Sequence, residues 1–165
     1  MSTLAAFPAP RRIVGRTRRR RAEALIPVRA GGVHHVDLVV SSIERSLPFY
    51  RELLGPLGWH GMSEVEGERG ETIWYLNGPE TSIGLRERQT GDGPYDRYSI
   101  GLHHLAFEAS SRGAVDERAE WLRSVDATLE SEPQEYTYSP GYYAVFFFDP
   151  DGLKLEIVHT PALAA

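Results

Sequence analysis

Six histidines, a full complement of acidic side chains and no cysteine define the site chemistry open to this 165-residue chain. Without cysteine, disulfides, thiolate metal sites and thiol nucleophiles are excluded. Four of the histidines stand as adjacent pairs, His34-His35 and His103-His104, and a carboxylate, Glu156, interrupts an apolar run near the C-terminus. Two imidazoles and one carboxylate suit a single borderline divalent ion such as Fe, Mn, Zn or Ni, provided the chain brings them together.

An internal repeat supplies the means. Residues Val33 to Ser42 match Leu102 to Ser111 without a gap at an offset of 69, each copy reading as a strand that ends in a Ser-Ser pair suited to capping a helix. Helical spacing follows in both copies: Ile43, Leu47, Tyr50, Leu53 and Leu54 in the first, Val115, Ala119 and Leu122 in the second. Pro48 is placed near the start of the first helix, where it costs least. A second match, at an offset of 72, relates Tyr75-Leu-Asn-Gly-Pro and Ile83-Gly-Leu to Phe147-Phe-Asp-Pro-Asp and Leu155-Glu-Ile, so each copy closes with a hairpin. The order strand, helix, then two or three strands is therefore performed twice, with module one at 31–89 and module two at 100–160. Gln89 to Ser99, carrying Gly91, Gly93 and Pro94, is the linker. Residues 131–141 are expected to form a long loop bordering a site.

Strand parity decides which side chains can meet. Alternate residues of a strand point to opposite faces. Val36, Leu38 and Val40 share one face and leave His35 and Asp37 on the other. Leu105 and Phe107 oppose His104 and Glu108, and Leu153, Leu155 and Ile157 oppose Lys154 and Glu156. His35, His104 and Glu156 thus all lie on the face turned away from the helices, and these three are the candidate metal ligands. Asp37 and Glu108 share that parity and can tune the site or act as bases. Tyr138, Tyr142 and Tyr143, in or beside the long loop, are candidate donors to a bound oxyanion, with aromatic packing as the alternative. His34 and His103 fall with the apolar parity and read as packing or hydrogen-bonding residues; His60 and His159 stay unassigned. Asp149 and Asp151 are better explained by a reverse turn than by a metal loop.

The net charge of −5 is unevenly spread. Eight of the 18 basic residues (Arg11, Arg12, Arg16, Arg18 to Arg21 and Arg29) fall within the first 30 positions, opposed only by Glu23. A polybasic arm and a targeting peptide are both open, but the composition favours a disordered extension, and residues 1–30 are set apart from the fold. The remaining acidic body argues against a nucleic-acid partner. No apolar run reaches the roughly 20 residues needed to span a bilayer, so a cytoplasmic protein without a membrane partner is expected.

The segments His35–Val40, Ser46–Gly55, His104–Phe107 and Asp149–Glu156 together resemble the vicinal oxygen chelate superfamily, which includes glyoxalase I, extradiol dioxygenases, fosfomycin-resistance transferases and bleomycin-resistance proteins. The resemblance implies an α+β fold of two βαβββ modules whose mixed sheets form a cup around one metal ion, with ligands at His35, His104 and Glu156. It departs at one point: glyoxalase I-like members carry a fourth ligand at the first-module equivalent of Glu156, where this chain has Gly84. That leaves a two-His, one-carboxylate set with open positions, as in non-haem iron oxygenases. The implied function is a metal-dependent enzyme chelating a small substrate through adjacent oxygens, leaning to a dioxygenase-like reaction. The alternatives are a glyoxalase-like lyase, a non-catalytic drug-sequestering protein, and a transferase acting on an anionic epoxide held by Arg86, Arg88 or Arg97. A homodimer is expected, and a cup shared between two chains fits the same sequence as one closed within a chain.

Overall fold

The computed structural model describes residues 31–91 and 93–161. The Arg-rich segment lies outside the described residues. Within them the element order repeats: β1 (His35–Val40), α1 (Ile43–Leu54), a 3₁₀ turn (Gly55–Leu57), β2 (Gly61–Glu66), β3 (Thr72–Asn77) and β4 (Ser82–Glu87); then β5 (Leu105–Glu108), α2 (Arg112–Ser124), β6 (Leu129–Glu135), β7 (Tyr143–Phe148) and β8 (Lys154–His159).

Each module makes its own four-stranded mixed sheet, in the orders β1-β4-β3-β2 and β5-β8-β7-β6. The first strand of each lies parallel to the last, and the remaining pairs are antiparallel. The parallel pairing needs a long crossover, which the helix and two intervening strands provide. The Ser-Ser pairs cap as expected: Ser42 Oγ accepts from the Arg45 amide and Ser111 Oγ from the Ala114 amide. Pro48 differs from expectation. Because α1 begins at Ile43, the proline sits in its sixth position, and the helix continues through it to Leu54. The expected loop at 131–141 is also shorter, since β6 runs to Glu135 against β7, with register shifts between Leu129 and Gln134 that accommodate Pro133.

One apolar core serves both modules. Leu38, Val40 and Leu85 of the first sheet and Phe107, Val145, Phe147, Leu155 and Ile157 of the second bury with Tyr50, Leu53 and Leu54 of α1 and Val115, Ala119 and Leu122 of α2. Leu38, Val40, Phe107, Leu155 and Ile157 belong to the parity sets read from the sequence, and their burial places the helices and the core on one side of each sheet. Polar locks join the modules at the same level. The Asp151 carboxylate accepts from the Ser41 amide at 2.8 Å and pairs with Arg45 at 2.6 Å. The Tyr50 hydroxyl donates to Asp149 at 2.9 Å inside the core. Asp149 also caps its own turn by accepting from the amides of Asp151 and Leu153. Both aspartates therefore hold the modules and the turn together. No helix among the described residues is long and apolar enough to cross a membrane.

Candidate metal centre

On the outer face of the second sheet, the parallel register sets Ala106 opposite Glu156, which brings His104, just before β5, beside the Glu156 carboxylate. His104 Nε2 lies 3.4 Å from Glu156 Oε2. The other carboxylate oxygen, Oε1, accepts a 2.5 Å hydrogen bond from the Tyr142 hydroxyl. Glu156 is 1% exposed although it faces away from the core. A small apolar cluster of Ala144, Phe146 and Val158, packed with Tyr136 and Tyr142, covers this face. Burial, followed by the hydrogen bond to Glu156, raises the Tyr142 phenol well above its usual range, so it stays a neutral donor.

The arrangement suits a cation. Two donors each about 2.1 Å from a common ion stand roughly 3.0–3.4 Å apart in octahedral or tetrahedral geometry. An imidazole nitrogen and a buried carboxylate oxygen at 3.4 Å match that spacing. His35 does not join them. It lies on the outer face of the first sheet, with its ring edge-on to Tyr75 at 5.6 Å. Among the described residues, no three His, Asp or Glu side chains gather at metal-binding spacing. One chain thus assembles two of the three expected donors.

The position of Gly84 is not vacant. In register, Gly84 pairs with Asp37 on one side and Tyr75 on the other. A Cβ at Gly84 would meet Asp37 Oδ1 at 2.3 Å and the Tyr75 ring at 2.8 Å, so these two side chains already fill the corner. Arg86 holds Asp37 Oδ2 at 3.0 Å and reaches Glu68 at 3.2 Å and Glu71 at 3.1 Å. Asp37 is therefore a partner of Arg86 within a closed ion-pair cluster rather than a base beside His104. The open fourth corner expected from the sequence is corrected accordingly. Arg86, offered as an anion-binding residue, is already surrounded by carboxylates.

The remaining candidates separate. Tyr143 points the other way: its hydroxyl donates to Asp116 of α2 at 2.7 Å, with Arg112 over its ring. That places it outside the cluster, one residue from Tyr142 and on the opposite parity. Glu108 is exposed at the end of β5, on the outer parity. Tyr138 is exposed and stacks on Tyr136, whose ring meets Phe146 edge-on. Two groups were not singled out from the sequence. Lys154, on the same strand face as Glu156, sits 4.3 Å over the Phe146 ring and pairs with Glu130, which also binds Arg97 at 2.7 Å. Parity alone marks Lys154; no sequence signal marks Glu130.

The comparisons agree with this fold. Residues 32–157 match the family described as the Glyoxalase/Bleomycin resistance protein/Dioxygenase superfamily. The chain is 32% identical to the uncharacterized protein YqjT of Bacillus subtilis, over 76% of this chain and 97% of the relative. It is 30% identical to the metallothiol transferase FosB of Staphylococcus epidermidis, over 80% and 85%. Among solved structures, a glyoxalase-family protein of Bacillus halodurans superposes with a TM-score of 0.65 at 30% identity, covering 79% of this chain and 97% of that one. With most of both modules matched and the repeated βαβββ order in place, the chain belongs to the Glyoxalase/Bleomycin resistance protein/Dioxygenase superfamily.

Proposed function

We propose that this protein is a divalent-metal-dependent enzyme acting on a small substrate with two adjacent oxygens, and that its centre is completed between two copies of the chain. The observation that carries the reading is the His104–Glu156 pair at 3.4 Å, two of the three donors, with the repeat partner His35 on the outer face of the other sheet. His104 and Glu156 of one chain and His35 of a second copy would hold the ion. A bound divalent ion polarises substrate oxygens and lowers the pKa of a coordinated hydroxyl. Tyr142 occupies Glu156 Oε1 and so presents Oε2 alone to the ion, which leaves coordination positions for substrate. The apolar cluster beside Glu156 excludes water from that side of the site.

Two copies meeting through their outer sheet faces would also cover apolar surface. Val39 is 63% exposed on β1, and Val65 stands exposed on the same face of β2. Such faces are commonly the self-complementary surfaces of two-fold dimers. The decisive experiment mixes two inactive variants. His35→Ala and His104→Ala each lose metal binding alone; random exchange of subunits restores about one quarter of the sites if the centre is shared, because half of the dimers then carry one intact site. No restoration, with each variant dimeric and folded, refutes the shared centre. Stoichiometric metal in the wild type, together with O₂ uptake on a panel of catechols, supports the dioxygenase-like reaction.

A second reading has its own support. Lys154 and Arg97 place two cations against one carboxylate, Glu130, on the face that holds Glu156, and the chain resembles a metallothiol transferase. Transfer of a thiol to a small anionic substrate is the alternative that these cations and this relative support, and thiol consumption without O₂ uptake distinguishes it.

A further inference from the structure

The two histidine pairs form the same contact in both modules. His34 Nδ1 lies 2.9 Å from His35 Nδ1, and His103 Nδ1 lies 2.8 Å from His104 Nδ1. The rings meet edge-on in each case, with centroids 5.2 and 5.0 Å apart and planes at 84° and 82°. The two pairs share no residue and have different surroundings. The His34 carbonyl accepts from the Ser82 amide at 3.1 Å and the Thr81 hydroxyl at 3.2 Å, which pins it to the β3–β4 turn. The His103 ring instead packs 5.5 Å from Tyr98. Among the described residues, the other two histidines have no such neighbour, so there the device occurs at the two positions that the repeat makes equivalent.

A nitrogen–nitrogen contact of this length requires one shared hydrogen. One Nδ1 carries it and the other accepts, so each pair holds one Nδ1–H ring and one Nε2–H ring. A ring that coordinates through Nε2 must carry its hydrogen on Nδ1, and the partner of that hydrogen sets the tautomer and the ring orientation. His104 already turns its Nε2 toward Glu156.

We infer that His34 and His103 are positioning residues: each accepts the Nδ1–H of the histidine that follows it and so aims that ring's Nε2 at the metal position. The inference rests on the reading of His35 and His104 as metal donors. In sequence terms, the device makes the doubled His-His, rather than the single histidine, the functional unit of each module.

The test uses the full chain with ¹⁵N-labelled histidine. Long-range ¹H–¹⁵N spectra of the metal-free protein should show complementary tautomers within each pair; the same tautomer in both rings of a pair overturns the inference. Zinc titration then compares wild type with His103→Phe, which keeps an aromatic ring without an acceptor, and His103→Asn, which returns an acceptor near the Nδ1 position. The phenylalanine variant should bind zinc about 10–100-fold more weakly, and the asparagine variant should recover most of that loss. Equal affinity in the phenylalanine variant, or an asparagine variant no better than phenylalanine, overturns it. If the wild type binds no zinc, the metal-centre reading falls, while the tautomer pattern still decides the pairing.

Discussion

Gly84→Glu would place a carboxylate at the first-module equivalent of Glu156, and its outcome depends on whether that corner is filled. Non-bonded heavy atoms settle about 3.5–4.0 Å apart. A Cβ at Gly84 would stand 2.3 Å from Asp37 Oδ1 and 2.8 Å from Tyr75 Cε1, so both neighbours must retreat. Both are already engaged: Arg86 holds the other Asp37 oxygen at 3.0 Å, and the Tyr75 ring meets the His35 ring edge-on at 5.6 Å. Overpacking of this kind costs about 1–3 kcal/mol, before the repulsion between two carboxylates is added. At roughly 2–4 °C per kcal/mol for a chain of this size, melting should fall by about 2–12 °C. Asp37→Ala removes the nearest atom. It forfeits an ion pair worth at most about 1 kcal/mol, because Arg86 keeps Glu68 and Glu71. The double variant should therefore be more stable than the sum of the single changes by about 0.5–3 kcal/mol. Urea melts of the four proteins measure this coupling, and Gly84→Ala separates volume from charge. A Gly84→Glu protein as stable as wild type, or strictly additive changes, would show that Asp37 and Tyr75 do not fill the corner.

Three further outcomes follow from the locks around the core and the site. Tyr50→Phe removes a buried donor from Asp149 and should cost about 1.5–3 kcal/mol in urea melts at neutral pH. Its pH dependence has a definite sign. Burial, then the charge of Asp149, holds the Tyr50 phenol well above its usual value of about 10, so above that pH the unfolded chain loses a proton that the folded one keeps. Wild-type stability should fall as pH rises beyond about 10, and the fall should be shallower in Tyr50→Phe. Tyr142→Phe leaves Glu156 Oε1 buried without its donor and should lower the stability of the metal-free protein by about 1.5–3 kcal/mol, read from chemical denaturation; no loss would remove Tyr142 from the site. Asp151→Ala breaks the link to the Ser41 amide and should cost about 1–2 kcal/mol, whereas Arg45→Ala, at the exposed end of the same contact, should stay within about 0.5 kcal/mol.

Much of the fold is legible in the sequence, because the chain states it twice. The match of 33–42 to 102–111 located two strands and two helix caps, and period-2 alternation separated the core face from the outer face at every strand that was read. Leu38, Phe107 and Leu155 are buried as parity requires, and His104 meets Glu156 because their strands are register neighbours. The structure departs from the sequence reading where parity is silent or where it was not applied. Pro48 looked like a helix-start residue because the cap was known but the helix length was not. The 131–141 segment looked like a loop because Pro133 and the polar run Glu130–Glu135 hide a strand that pairs through register shifts. Tyr143 was grouped with Tyr142 by proximity in sequence, yet neighbours on a strand point apart, and only Tyr142 reaches Glu156.

The Gly84 corner shows how far a repeat can carry an inference about a site. An offset of 72 correctly identifies which residue stands where Glu156 stands in the other module. It says nothing about which side chains reach into the space that residue leaves. Asp37 does so from the neighbouring strand, at the position that Ala106 holds in module two, so the repeat that yields a glycine in one place also yields a carboxylate beside it. Arg86 pairs with that carboxylate and is shared with Glu68 and Glu71 of the β2–β3 hairpin, a contact between segments that no motif connects. The two modules have thus kept one backbone plan and diverged in how they treat the same outer corner. Module two exposes a carboxylate oxygen to an imidazole, and module one ties its carboxylate to a guanidinium. A metal ion drawing on both modules would therefore take His35 alone from the first, because Asp37 is already engaged by Arg86, and Glu156 would supply the carboxylate.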